Sequence, residues 1–370
     1  MTLPESTGHT PMAPEAASAF LVQCQKILSG LQTSGGSGGQ KKFYRVAGQT
    51  MTVCFRQSFF QQRLLPALDH LQAGGGEASQ GVIHLAGPDE LPEDWLHFFP
   101  EPDPQTSAEG FHAEDETGQA VVFRSDRFAS FSYLSADSRH ALYALSDPER
   151  LPSYETGSPL RVLFFWMLRR SGIQMMHAAC VGTKRGAVLI GGHGGAGKSM
   201  TALRCLTGSM HYAGDDYTAV DLSGEFPRAR SVYSSAKIHP RDLETVPGLA
   251  QWFVLPHGED MRENKAVGFL AEGFRRQLMV AAPLKGILLP VITGEKMSRV
   301  EPLGRLQALR ELAPSSLLQF PGAGQEDFQR MGELVRRLSC WRIFLGADPQ
   351  SLVNAVSEVC ESAGEKNNAG

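Results

Sequence analysis

The stretch GAVLIGGHGGAGKSMTALRCL, residues 186–206, constrains this chain more than any other. Within it Gly192, Gly197, Lys198 and Ser199 satisfy G-x-x-x-x-G-K-[ST], the pattern of a phosphate-binding loop. Its flanks fit that reading. Ala187 to Ile190 is an apolar run of strand type, and Ser199 to Leu206 reads as a helix. A helix N-terminus leaves backbone N–H groups unsatisfied, and glycines before it let a phosphate come close. The contacts expected to hold a nucleotide run through Gly192, His193, Gly194, Gly195, Ala196, Gly197, Lys198, Ser199 and Met200. Lys198 is expected on the β- and γ-phosphates and Ser199 on Mg²⁺, so ATP and Mg²⁺ are the expected cofactors. A flexible glycine turn with an exposed lysine is the plain alternative.

A metal-bound nucleotide needs a carboxylate near Ser199. Asp215 and Asp216, in YAGDDYTAVD, follow Lys198 at a distance that suits one helix and a return to a sheet. Neighbouring side chains on an extended backbone point opposite ways, so the two acids are expected to do different work. One would serve the metal; the other would face an acceptor hydroxyl as general base. A solvated turn is the alternative. His177, just ahead of another apolar run, would on its own be read as a hydrogen-bonded core histidine. Lys237, in SVYSSAKIHP, is a candidate for contact with phosphate or substrate, with Arg228 and Arg230 behind it. Arg275 and Arg276 read as a solvated face.

Taken together, HAACVGTKRGAVLIGGHGGAGKSMTALRCLTGSMHYAGDD resembles the catalytic core of HPr kinase/phosphorylase and its kinase relatives. That pattern has a His before a strand, a Gly-led strand, the phosphate loop, then Asp-Asp. The resemblance spans roughly residues 165–225 and continues weakly toward 355. It implies an α/β fold with a nucleotide-binding core of the HPr kinase/phosphoenolpyruvate carboxykinase type. It also implies transfer of the ATP γ-phosphoryl group to a serine hydroxyl. By position Asp216 matches the family's acid/base aspartate, Asp215 its metal-side neighbour, and His177 a residue near the acceptor. The chain departs from the pattern at Gly194, where Ser is usual, and at Met200, where an acid is usual. A downstream Glu/Arg signature has no counterpart. The resemblance is therefore to a related kinase with a different acceptor, a protein, a peptide or a small-molecule hydroxyl.

The rest of the chain is organised around this core. Residues 1–40 read as a partly disordered lead-in with one helix, Ala19 to Leu31, and a Gly/Ser linker from Ser34 to Gly39. Residues 41–157 read as a smaller α+β domain. It has hairpins at Phe43–Val46/Met51–Phe55 and Ala120–Arg124/Ala129–Tyr133, and a Pro/Asp/Glu-rich surface loop over 87–118. Residues 158–362 form the kinase-like domain, opening with a helix from Pro159 capped by Ser158, and 363–370 a tail. Predicted strands lie at Ala178–Val181, Ala187–Ile190, Tyr217–Val220, Gly286–Ile292 and Trp341–Leu345; helices at Glu326–Leu338 and Pro349–Glu361.

Charge narrows the partners. With 35 Lys+Arg against 39 Asp+Glu, neither half is basic enough to displace counterions from nucleic acid. The apolar stretch Leu160–Leu168 is interrupted by Arg161 and too short for a bilayer, so it reads as a buried helix. Six scattered cysteines form no C-x-x-C pair, and a soluble cytoplasmic protein is expected. A homo-oligomer stays open. Other nucleotide-loop classes fit less well. Asn264-Lys265-Ala266-Val267 lacks the Asp of a guanine-binding motif. Ser37-Gly38-Gly39-Gln40 lies on the wrong side of the loop for an ABC signature. No manganese and oxaloacetate constellation of a phosphoenolpyruvate carboxykinase is visible. A nucleotide sensor without turnover is the non-enzyme alternative.

Overall fold

The computed structural model describes residues 14–33, 39–92, 95, 110–125, 129–246, 248–255 and 265–362. Residues 1–13 of the predicted lead-in, most of the Ser34–Gly39 linker, much of the 87–118 loop and the tail lie outside the described residues. So does Asn264.

The first part holds α1 (Pro14–Thr33), β1 (Gln40–Val46), β2 (Gln49–Phe55), α2 (Ser58–Arg63), β3 (Gly81–Ala86), β4 (Phe111–Glu114), β5 (Val121–Ser125), β6 (Ser130–Leu134) and β7 (His140–Leu145). Both expected hairpins form, β1 with β2 and β5 with β6. The seven strands make one mixed sheet in the order β1-β2-β3-β7-β6-β5-β4. One face is covered by α1, whose Phe20 stacks on Trp95 at 5.5 Å between ring centres. The 87–118 stretch is not all loop: Phe111 to Glu114 pair with β5. An edge strand of four residues, flanked by acids and glycine, carries too little alternation to stand out.

The second part continues with α3 (Ser153–Gly157), α4 (Arg161–Arg170), β8 (Ile173–Met176), β9 (Ala179–Gly182), β10 (Ala187–Ile190), α5 (Lys198–Thr207), β11 (His211–Gly214), β12 (Thr218–Asp221) and β13 (Arg228–Ser231). Then come β14 (Ser235–Ile238), β15 (Phe253–Val254), β16 (Ala266–Phe269), α6 (Ala271–Phe274), β17 (Ala281–Ile292), β18 (Arg299–Pro302), α7 (Arg305–Leu317), α8 (Gln325–Arg337), β19 (Ser339–Leu345) and α9 (Pro349–Glu361). A mixed sheet runs β11-β9-β10-β17-β13-β12-β8, with β19 on β17 and β18 on β19. The long β17 is its spine, parallel to both β10 and β19. One hydrophobic cluster joins α5 and α9 to the sheet, and another brings in residues of α7 and α8. A third, three-stranded sheet, β14-β16-β15, stands beside it. The molecule is thus a mixed α/β protein with several sheets.

Helix α4 differs from expectation at its start. Ser158 closes α3 instead of capping α4, and Leu160 enters α4 in the left-handed region at φ 60°. The Pro159 carbonyl is taken by the Tyr233 hydroxyl at 2.8 Å, a tertiary contact that local capping signals do not carry. Val162 to Leu168 are all buried, as a core helix requires, and share one cluster with residues of both large sheets. Among the described residues no helix is long and apolar enough to cross a membrane.

Candidate functional site

Strand direction gathers the site. β9 runs antiparallel to β10, so His177, just before β9, lies at the same sheet edge as the loop that follows β10. β11 is antiparallel to β9 and therefore runs with β10, which delivers Asp215 and Asp216 to that edge as well. Residues 177, 191–198 and 215–216 converge without needing any long-range rearrangement of the chain.

The loop enters α5 through Gly197, at φ 100°. A Cβ there would sit 2.6 Å from Leu345 Cδ1, so only glycine fits the approach to β19. Gly194 and Gly195 face open space, and their N–H groups donate to no acceptor among the described residues. Such amides ahead of a ten-residue helix are suited to an anion. Lys198 is 7% exposed, and its Nζ donates to the carbonyls of Gly192 at 2.9 Å and His193 at 3.1 Å. Burial lowers its pKa, while Asp216 and Asp215 oppose that shift. His193 is exposed on the loop crest; Ala196 is buried beneath it; Ser199 and Met200 are half-buried in the first turn of α5.

The two aspartates occupy different environments. Asp215 is 2% exposed, and one of its oxygens accepts the Lys237 backbone N–H at 2.9 Å. Its other oxygen, Oδ1, is buried with no hydrogen-bond partner among the described residues. Burial and the neighbouring Asp216 push its pKa up, and the Ser199 hydroxyl lies near enough to favour the charged form. Asp216 is more open and forms an ion pair with Lys237 Nζ at 2.8 Å. Burial works against its charge, but Lys237, then His177 and Lys265, hold its carboxyl well below the usual range. Lys237 meets both acids, one through its backbone and one through its ammonium.

His177 is fixed by the end of α7. Its backbone N–H donates to Ser316 Oγ at 3.1 Å, and its Nδ1–H donates to the Ser315 carbonyl at 3.0 Å. That bond leaves Nε2 as the unprotonated acceptor. Burial first, then the charge of Lys198, pushes its pKa down to about 4, so the ring is neutral near pH 7. Tyr217 lies beside it, ring centres 5.6 Å apart.

A divalent cation fits the residues present. Asp215, with its Oδ1 unpartnered, and the nearby Ser199 hydroxyl supply oxygen donors, and one carboxylate plus a hydroxyl leaves room for phosphate oxygens and water, as Mg²⁺ prefers. Among the described residues no group of three or more His, Cys, Asp or Glu could hold a metal without such help.

The other candidates fall elsewhere or do other work. Arg230 is paired with Asp221 on the adjoining strand at 2.8 Å, and Arg228 is exposed on the same strand. Arg275 and Arg276 are exposed. Sequence reasoning missed Ser315, Ser316 and Lys265. The serines carry no motif and reach His177 only through the packing of α7. Lys265 was visible only as part of a failed guanine motif.

No family model and no curated protein matches the chain. Among solved structures it is similar to the HPr(Ser) kinase/phosphatase from Coxiella burnetii, at 11% identity and a TM-score of 0.25, over 49% of this chain and 91% of that one. A likeness of that size establishes neither fold nor activity, and the site stands on its own geometry.

Proposed function

We propose that this chain is an ATP- and Mg²⁺-dependent kinase that transfers the γ-phosphoryl group to a hydroxyl, with a serine of a protein or peptide as the leading acceptor. One observation carries the reading. Two adjacent carboxylates of unlike character, one buried with a single unpartnered oxygen, one more open and paired with Lys237, stand at the sheet edge that holds the glycine loop and Lys198.

The loop amides and Lys198 would hold the phosphates of ATP, Lys198 exchanging its loop carbonyls for phosphate oxygens. Ser199 and Asp215 would hold Mg²⁺, which neutralises charge on the phosphate oxygens when bound. Asp216 would accept the proton of the acceptor hydroxyl as its oxygen bonds to the γ-phosphorus and the bond to the ADP oxygen breaks. A carboxylate held well below its usual pKa is a weak base. Phosphoryl transfer through a loose transition state asks little of the base early on, so positioning of the hydroxyl counts for more. His177, neutral and held in place by Ser315 and Ser316, would border the acceptor site beside Asp216.

The test is to incubate the protein with Mg²⁺, γ-labelled ATP and fractionated lysate, and to find the labelled species by mass spectrometry. A labelled protein, peptide or metabolite supports the kinase reading. Nucleotide binding with no labelled species in any fraction would favour a sensor.

A further inference from the structure

The two buried ammonium groups of the site are already committed, Lys198 to loop carbonyls and Lys237 to Asp216. A third cation is not. Lys265 is exposed and has no hydrogen-bond or ion-pair partner among the described residues.

Sheet register places it. In the antiparallel pair β14/β16, Val267 stands opposite Lys237 and Ala266 opposite Ile238. Directly opposed residues share a face, and residues two apart on one strand share a face too. A Cβ built on Gly157 would meet Lys237 Cε at 2.9 Å and Val267 Cγ1 at 3.0 Å, which confirms that these two side chains point the same way. Lys265 is the residue immediately before β16, two positions from Val267, where the extended chain entering the strand continues toward that row. Its charge is felt across the site: it acts on Asp215, on Asp216 and on Lys198.

We propose that Lys265 is the ligand that meets the terminal phosphate of the bound nucleotide, from the side opposite the glycine loop. The proposal rests on the kinase reading above and adds a contact that neither the loop motif nor the Asp pair supplies. Three lysines against two aspartates leave the site one positive charge in excess before any nucleotide arrives, and the excess charge resides on the one lysine, among the described residues of this site, that has nothing to release first. ATP carries a terminal phosphate that ADP lacks. A side chain that touches the γ-phosphate therefore discriminates between them, whereas a general field acts on both.

The experiment measures the affinities of ATP and ADP, each with Mg²⁺, for the wild type, Lys265→Met and Lys265→Arg at low and at about 0.5 M salt, where the Debye length has fallen to roughly 4 Å. Loss of one charge-assisted contact should weaken ATP by about tenfold or more in Lys265→Met. ADP affinity should stay within about twofold, Lys265→Arg should recover most of the loss, and the difference should survive high salt, as expected for direct contact. Equal weakening of ATP and ADP, or a difference erased by salt, would overturn the contact and leave only a diffuse field. If the wild type bound neither nucleotide, the kinase reading itself would fail, an outcome distinct from either of these. Unchanged ADP affinity in Lys265→Met also shows that the variant is folded.

Discussion

At the scale of single residues, the site is built on Lys237. Its ammonium satisfies Asp216 and its backbone N–H satisfies Asp215, in a setting where both carboxylates are largely removed from water. Removing one member of such a pair strands the other charge. Lys237→Met should cost about 3 kcal/mol of stability, and Lys237→Met/Asp216→Asn should recover much of that loss, because the double change removes both charges. Denaturant unfolding of the four proteins in the cycle measures the coupling; strict additivity would show that the ion pair contributes nothing. Lys198 and the Asp pair were legible in the sequence because each signal is contiguous. The role of Lys237 was only half legible. Its spacing suggested a phosphate or substrate contact, but its bond to Asp216 depends on where β14 stands relative to β11. Lys265 was hidden for the same reason, since its relation to Lys237 is a register and not a motif.

At the scale of elements, the β10–loop–α5 unit is where local pattern and tertiary structure agree. Ala187–Ile190 is the strand predicted, and the helix extends the predicted one by a residue at each end. Gly197 does two things there: it takes a left-handed φ and lets β19 approach. Gly197→Ala should therefore destabilise the fold by about 1–3 kcal/mol and lower nucleotide affinity more than that loss alone explains, since the first amides of α5 would be displaced. Thermal unfolding with and without Mg²⁺ and ATP measures both; an unaltered ligand-induced shift in Tm would argue that the loop is not the binding element. Helix α9 was equally legible. Asp348 accepts the Ser351 N–H at 2.7 Å and Pro349 occupies the first turn. The start of α4 and strand β4 were not, because one is set by Tyr233 from across the core and the other by pairing with β5.

At the scale of the whole molecule, the N-terminal sheet and the sheet carrying the site share one hydrophobic cluster, so composition along the chain divides what packing joins. His70 sits at that junction, its Nε2 bonded to Ser231 Oγ at 2.6 Å and its pKa pushed down to about 3 by burial and by Arg275. A histidine whose pKa falls on folding binds its proton first in the unfolded chain. Its contribution is therefore complete above the unfolded value near 6.5 and is lost as pH falls from there toward about 3. His84 and His177, both pushed down to about 4, act in the same direction. Stability should fall between pH 6.5 and 5, and His70→Gln should reduce that slope by up to about 1.4 kcal/mol per pH unit. Denaturant midpoints across this range decide it, and an unchanged slope would place the acid sensitivity elsewhere. Chemistry at the shared sheet edge is read out by γ-phosphoryl transfer in wild type and Asp216→Asn, with Mg²⁺–ATP affinity measured on the same samples. Transfer should fall by about 10²–10⁴ in Asp216→Asn, with ATP affinity within about threefold of wild type. Full transfer by Asp216→Asn, or a wild type that binds no ATP, would rule out Asp216 as the base of an ATP-dependent transfer.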